Sequence, residues 1–495
     1  MANIDIKEKM FDLLNNTKGL YSYIAIEKLV SVMMTDYVKS QNKDVIENYY
    51  NNKGPDMILP DGIDDENGCI AVEIKSLRQK QMSLKVIYDT IGRFMFNRGE
   101  INNLLLIFVN ELPSQIRERI KEKEEQLNFK LMIWDIDDLV RIFSKNEILF
   151  FDTYNNLNSI LLRDTVQAGI KANNDDYLIK RKKYIEQLKS QYKKDNIVLF
   201  VGAGASYAAN MPTWNSLISE LYVSLIDKLL KTHQIEINDE DKEKIKESVI
   251  NQNGNSPLIQ TRFLKNSFKE NFDESVREIL YKNVVETSGL LEEIGQLCIP
   301  NRGKLGIRAI IGIRAIIDYN FDDLIERNLK RLRVKHQSIY AEAMHPDLDA
   351  LGVYHVHGFL PQDKEDYNDL GNTLLVFSED GYHKLMLDPY NWANISQLNF
   401  MVNNTCLFIG LSMTDPNMRR LLEIAAQKKY DDDLCQHYVI MRRFKINNSG
   451  KSESIKRFEN VNESLQEDFF KSLGVNVIWV NDYDEIPNLL KQIKS

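Results

Sequence analysis

The 495-residue chain has only four cysteines, Cys69, Cys298, Cys406 and Cys435, and no C-x-x-C pair among them. That spacing offers no structural zinc site, and a chain of this length needs no disulfide framework. A reducing, cytoplasmic compartment is the expectation. No run of eighteen apolar residues occurs, so no membrane span and no membrane partner are expected. The opening "MANIDIKEKMFDLL" lacks the apolar centre of a signal peptide. A basic excess is missing too: the formal net charge is -9, and the first 150 residues are themselves net acidic. General nucleic-acid binders usually carry the opposite balance. The one basic run, "KRKKYIEQLKSQYKK" at 180–194, reads as a solvated helix face or linker, with a nucleic-acid or partner contact as the lesser reading.

What is present divides into three regions, as the length predicts. Residues 1–150 mix helices and short strands. "YIAIEKLVSVMMTDYVKS" has helical spacing, and a second helical stretch spans Lys85 to Phe96. "PDMIL", "CIAVEIKS", "NLLLIFVN" and "FKLMIWDI" have strand length and turn residues at their ends. Residues 151–194 are polar and helix-prone, a helical connector. From 195 to 495 strands alternate with helices: "IVLFVGAGAS", "RAIIDYN", "VYHVHGF", "TCLFIGLS", "QHYVIMRR" and "NVIWVND" are the strands. Such an order predicts a parallel, Rossmann-like α/β sheet. Residues 235–300 read as a helical insertion into it. After the glycine-containing turn, Leu217, Leu221, Leu225 and Leu229 recur every four residues as a candidate core stripe. The tandem "GIRAIIGIRAII" at 306–317 is too short for an architectural repeat and lengthens one element.

"LFVGAGASYAANMPTW" at 199–214 runs a buried strand into glycines. Gly202, Ala203 and Gly204 supply a turn whose backbone N–H groups can meet a pyrophosphate, and Ser206 adds a hydroxyl. Tyr207 stands where a dinucleotide fingerprint has its third glycine, so the loop alone is a weak signal. Three later strand ends add to it: Asn320 and Asp322 in "DYNFDD", His357 in "HVHG", and Gly410 and Ser412 in "GLSMTDPN". Ligands of open parallel sheets sit at this strand edge.

In this order, these motifs resemble the sirtuin (SIR2-like) NAD-binding family from about Asn196 to the C-terminus. The resemblance implies a phosphate loop at Gly202–Ser206, an Asn-x-Asp motif at Asn320 and Asp322, a His-Gly motif at His357, and a Gly-x-Ser motif at Gly410 and Ser412. The paired cysteines of the deacetylase zinc module are absent, and Tyr319 replaces the glutamine that commonly precedes the Asn. "GLSMTDPNMRRLL" is more similar to the bacterial defence branch, whose members hydrolyse NAD+. The resemblance therefore implies an NAD+ hydrolase with Asn320 and His357 catalytic and Asp322 supporting the ribose or bracing the loop. His355, two residues from His357 on a strand, would share its face. Trp214 and Tyr382 read as packing.

A second constellation lies in "GPDMILPDGIDDENGCIAVEIKS" at 54–76. Period two puts Glu73 and Lys75 on one strand face, with Asp56 across the hairpin and Glu27 on the preceding helix. Two carboxylates and a lysine can hold Mg2+ and orient a water. Asp61 competes with Asp56, which is favoured because "PDG" then forms the turn. The region from about 20 to 145 resembles the PD-(D/E)xK restriction-endonuclease-like superfamily, in its Mrr-like branch. That resemblance implies a nuclease-like domain that cuts DNA or only binds.

The leading expectation is a bacterial anti-phage effector that hydrolyses NAD+ once a partner protein, a nucleotide signal or homo-oligomerisation releases it. The alternative is a Mg2+-dependent DNA nuclease whose SIR2-like part binds a regulatory nucleotide. A deacylase is disfavoured by the missing zinc module.

Overall fold

The computed structural model describes residues 2–16, 21–47, 55–75, 84–97, 101, 103–124, 126–173, 175–251, 257–300, 312–373, 375–377, 379–428, 437–446 and 452–495. The first copy of the tandem repeat and Cys435 lie outside them. The chain divides into two units. One comprises residues 1–174, 426–434 and 444–474, the other 175–425, 435–443 and 475–495.

The first unit holds a five-stranded sheet in the order β1-β2-β3-β4-β5, formed by Ile46–Glu47, Met57–Leu59, Ile70–Lys75, Asn103–Phe108 and Lys130–Trp134. The first three strands are antiparallel neighbours and the last three are parallel. Alternation sorts the side chains. Val72, Ile74, Leu105 and Ile107 join Ile26, Leu29 and Met33 of helix Tyr21–Lys39 in one core layer. Ala71, Leu104, Leu106 and Phe108 join Ile87, Ile91 and Phe94 of helix Leu84–Asn97 in another. Each large side chain so buried contributes about 1.5–3 kcal/mol. The strand and helix expectations for this region therefore hold.

The segment expected as a connector is two helices, Glu147–Lys171 in the first unit and Asp176–Tyr192 in the second. Residues 444–474, expected with the C-terminal region, group with the first unit. Their helix, Glu453–Ser472, packs along Glu147–Lys171, and Asn460 donates to the carbonyl of Ala172 at 3.0 Å.

The second unit holds seven parallel strands: β6 (Ile197–Val201), β7 (Ile313–Asp318), β8 (His336–Ile339), β9 (Leu351–His355), β10 (Thr405–Ile409), β11 (His437–Arg442) and β12 (Val475–Val480). Their order, β12-β11-β10-β6-β7-β9-β8, reverses direction between β6 and β10. Both of these strands are wholly buried, as a sheet covered on two faces requires. The expected helical insertion is present as Asp239–Asn251, Pro257–Phe268, Phe272–Leu280 and Gly289–Leu297. β8 has no counterpart among the expected strands; "HQSI" is a short, half-polar edge strand without an apolar run. The leucine stripe on helix Trp214–Thr232 also needs correction. Leu217, Leu221 and Leu225 are buried, but Leu229 is exposed. A repeat of four drifts about 40° per step around a 3.6-residue helix, which carries the fourth leucine off the buried face.

Candidate active site

The switch between β6 and β10 is where the glycine motifs meet. Beyond β6 the chain enters a short helix, Ala203–Tyr207, with Gly202 extended at its start. The Gly204 N–H donates to the Gly410 carbonyl at 2.9 Å, and the Gly202 N–H to that of Ile409 at 3.0 Å. Gly410 has φ +67, and a Cβ there would stand 2.5 Å from the backbone nitrogen of Ala205. These glycines let two strand-end loops cross backbone to backbone. The motif alone does not reveal that packing role, which sets the shape of the crevice. Tyr207 is 64% exposed, so its side chain does not fill the turn.

From this crossing a buried polar chain runs to the end of β7. Asn320 Nδ2 donates to Ser206 Oγ at 3.4 Å, Ser206 Oγ donates to Asp322 Oδ1 at 3.4 Å, and the Leu324 N–H donates to the same oxygen at 3.1 Å. All three polar side chains are buried. Burial pushes the Asp322 carboxyl up to about 6, against the hydrogen bonds from Leu324 and Ser206. The structure thus brings together Ser206, Asn320 and Asp322. Ser412 is not part of this buried chain; it shares a 2.7 Å hydrogen bond with Thr414.

The two histidines part company, which corrects the expectation of a shared face. β9 ends at His355, so its alternation does not reach His357, which lies in the turn beyond. His355 is fully buried with Nε2 2.6 Å from Glu326 Oε1, and Ser338 Oγ donates to that carboxylate at 2.8 Å. Burial alone would lower its pKa. The Glu326 charge and hydrogen bond overcome this and hold it at about 9. His355 Nδ1 lies 3.4 Å from the Asn320 carbonyl, and Asp318 Oδ1 accepts the Asn320 N–H at 2.9 Å. Asn320 is therefore gripped at both backbone groups.

His357 is pushed the other way. Burial lowers its pKa, and Asp415 only partly opposes this. Its ring meets Tyr319 and Tyr382 edge-on, with centroids 4.6 Å and 5.8 Å away. Trp214 packs on Phe377 at 4.5 Å, as expected. Tyr382 does more than pack, since its hydroxyl donates to Asp415. Asp415, Glu326 and Asp318 are polar partners of these histidines and of Asn320 that the motifs do not single out; their only signal is their place in or near the quoted strand ends.

In the first unit, Met57 pairs with Val72, so Asp56 lies just outside the pairing, near the Glu73 end of the partner strand. Asp56 Oδ2 accepts the Ile74 N–H at 2.7 Å, and Glu73 pairs with Lys75 at 3.3 Å. Asp61 lies in the turn and accepts the Asp44 N–H at 3.0 Å. Glu27 is on helix Tyr21–Lys39. Among the described residues, no group of three or more His, Cys, Asp or Glu side chains is gathered to hold a metal ion. Among the described residues, too, no helix is long and apolar enough to cross a membrane.

Comparison with known proteins finds a family match in the C-terminal half of the chain. Residues 314–477 match the model of the SIR2-like domain, a span that includes Asn320, His357, Gly410 and Ser412. The chain is 25% identical over 325 residues to the NAD(+) hydrolase ThsA of Enterococcus faecium, covering 64% of this chain and 58% of that one. It is 24% identical over 323 residues to the NAD(+) hydrolase ThsA of Bacillus cereus (strain MSX-D12), covering 63% and 56%. The chain thus spans less than two thirds of the length of the curated relatives it matches. The seven-stranded parallel sheet is consistent with a Rossmann-like SIR2-like domain.

Proposed function

We propose that the second unit hydrolyses NAD+ to nicotinamide and ADP-ribose, and that the protein is an anti-phage effector held silent until a partner protein or nucleotide signal acts on it. The observation that carries this reading is the buried Ser206–Asn320–Asp322 chain at the switch point, with His357 buried nearby at a neighbouring strand end. Polar groups so buried cost free energy unless they are satisfied or used. The similarity to two NAD(+) hydrolases supplies the substrate.

Breaking the nicotinamide–ribose bond builds positive charge on the ribose, and water then adds to C1. The enzyme must hold the dinucleotide, place that water and take its proton. Asn320, clamped at both backbone groups and oriented by Ser206, places the water or ribose hydroxyl. His357, kept neutral at pH 7 by burial, accepts the proton and releases it to solvent. Asp322 braces Ser206 and the ribose side. The loop at Gly202–Gly204 and Gly410 lies against the pyrophosphate, with Ser412 at the crevice rim. In the first unit we assign Asp56, Glu73 and Lys75 to nucleic-acid or partner sensing, and the unit recruits or senses rather than supplying NAD+ chemistry.

The test is nicotinamide release from NAD+ in cells carrying the wild-type chain or Asn320→Ala, with and without phage. Infection should deplete NAD+ only with the wild-type chain. Equal depletion by both chains, or none by either, would refute the proposal.

A further inference from the structure

His357 poses a question that its motif leaves open. Its Nε2 is buried and has no hydrogen-bond partner among the described residues. A buried polar atom left without a partner is costly to hold. The ring is faced by three titratable groups, Tyr319, Tyr382 and Asp415. Burial pushes both tyrosine hydroxyls up, so neither ionises near neutrality. Tyr319 is turned to Gln397, to which it donates. The carboxylate that remains is Asp415, with Oδ2 3.7 Å from His357 Nε2. Asp415 is firmly placed: Oδ1 accepts the Met418 N–H at 2.7 Å at the start of helix Pro416–Lys428. Its Oδ2, the oxygen nearest His357, accepts the Tyr382 hydroxyl.

We propose that Asp415 is the carboxylate partner that positions His357 for proton transfer, and that Tyr382 competes with the imidazole for it. The proposal rests on His357 being the proton-transfer residue of the function above. With its proton on Nε2, His357 directs that N–H at Asp415 and leaves Nδ1 as the base. Nδ1 takes the proton of the attacking water as the C–O bond forms, and the imidazolium is stabilised beside the carboxylate. An approach to about 2.8 Å turns the 3.7 Å contact into a charge-assisted hydrogen bond. The proton then passes to solvent, and no bond of Asp415 is made or broken. Tyr382, by donating to the same oxygen, withdraws part of the charge that the imidazolium needs. Asp415 and Tyr382 are positioning residues for a proton carried by His357.

The experiment tracks the His357 signal of the full-length protein, labelled with 13C-histidine, through a pH titration without NAD+. Its loss in His357→Asn assigns it. Asp415→Asn should move the midpoint to lower pH, and Tyr382→Phe to higher pH. Opposite signs distinguish a shared carboxylate from general loosening. Asparagine keeps the helix cap, and Tyr382→Phe carries the test alone if Asp415→Asn unfolds. In turnover, Asp415→Asn should lower kcat by about tenfold to a hundredfold, with KM for NAD+ changed less than about threefold. Unmoved midpoints, or shifts of one sign in both variants, overturn the proposal. The titration needs no turnover. A wild-type protein that leaves NAD+ intact therefore counts against the proposed function, while the midpoints still decide the role of Asp415.

Discussion

Both sheets end parallel strands with acidic side chains, and they treat those side chains differently. At the end of β3, Glu73 and Lys75 keep partial contact with solvent and pair with each other. At the ends of β7 and β9, Asp318, Asn320, Asp322, Glu326, His355 and His357 are all buried. A pair that keeps some water is cheap to hold and contributes little. A buried set is expensive, and it persists where each member fixes another or does chemistry. The first arrangement keeps some water at its charges; the second has to satisfy its polar groups from within the fold.

The sharpest test of this contrast is activity. In protein already released from its silent state, Asn320→Ala should lower NAD+ cleavage by about a hundredfold to a thousandfold, while Glu73→Ala, which bears only on sensing, leaves it within about threefold, read as nicotinamide release. A comparable loss from Glu73→Ala in the released state would place the chemistry in both units. Next comes stability. Glu326→Gln strands His355 in the interior and should cost about 3–5 kcal/mol in urea unfolding. In the first unit, Glu66→Gln breaks the exposed pair with Lys130 at 2.6 Å and should cost less than about 1 kcal/mol.

The Glu326 effect should depend on pH with a definite sign. His355 is raised from 6.5 to about 9 in the fold, so its contribution is complete below 6.5 and is lost as pH rises through about 9. Glu326 is lowered from 4.5, because the His355 charge and hydrogen bond outweigh burial. Its contribution is present above 4.5 and is lost as pH falls below it. The gap between wild type and Glu326→Gln should be widest between 4.5 and 6.5 and shrink towards about pH 9.5.

Two glycines give the smaller effects, with opposite signs. Gly410→Ala forces a left-handed φ and a 2.5 Å clash with Ala205, and should cost about 1–3 kcal/mol. Gly92 lies in helix Leu84–Asn97 with nothing within 4 Å of an added Cβ. Gly92→Ala should therefore stabilise by about 0.5–1 kcal/mol, measured as slower hydrogen exchange in that helix.

Much of this was legible locally. Apolar alternation in "IAVEIK" and "NLLLIF" places both strands, because one face of each must meet a different helix. The glycines after β6 and the polar ends of β7 and β9 are contiguous motifs. β8 was not legible, because four half-polar residues at an edge carry no periodic signal. Tyr382 meets Asp415 across 33 positions, and His355 meets Glu326 across 29. No local pattern encodes such pairings.

By itself, the sequence determined where strands stop and which polar groups stand at their ends, since backbone periodicity and turn chemistry act over a few residues. Only the tertiary structure decided what those groups became. Two histidines separated by one residue share the same intrinsic chemistry. Burial against Glu326 makes one a held cation, and burial between tyrosines near Asp415 keeps the other neutral. Desolvation and charge depend on what the rest of the chain brings alongside.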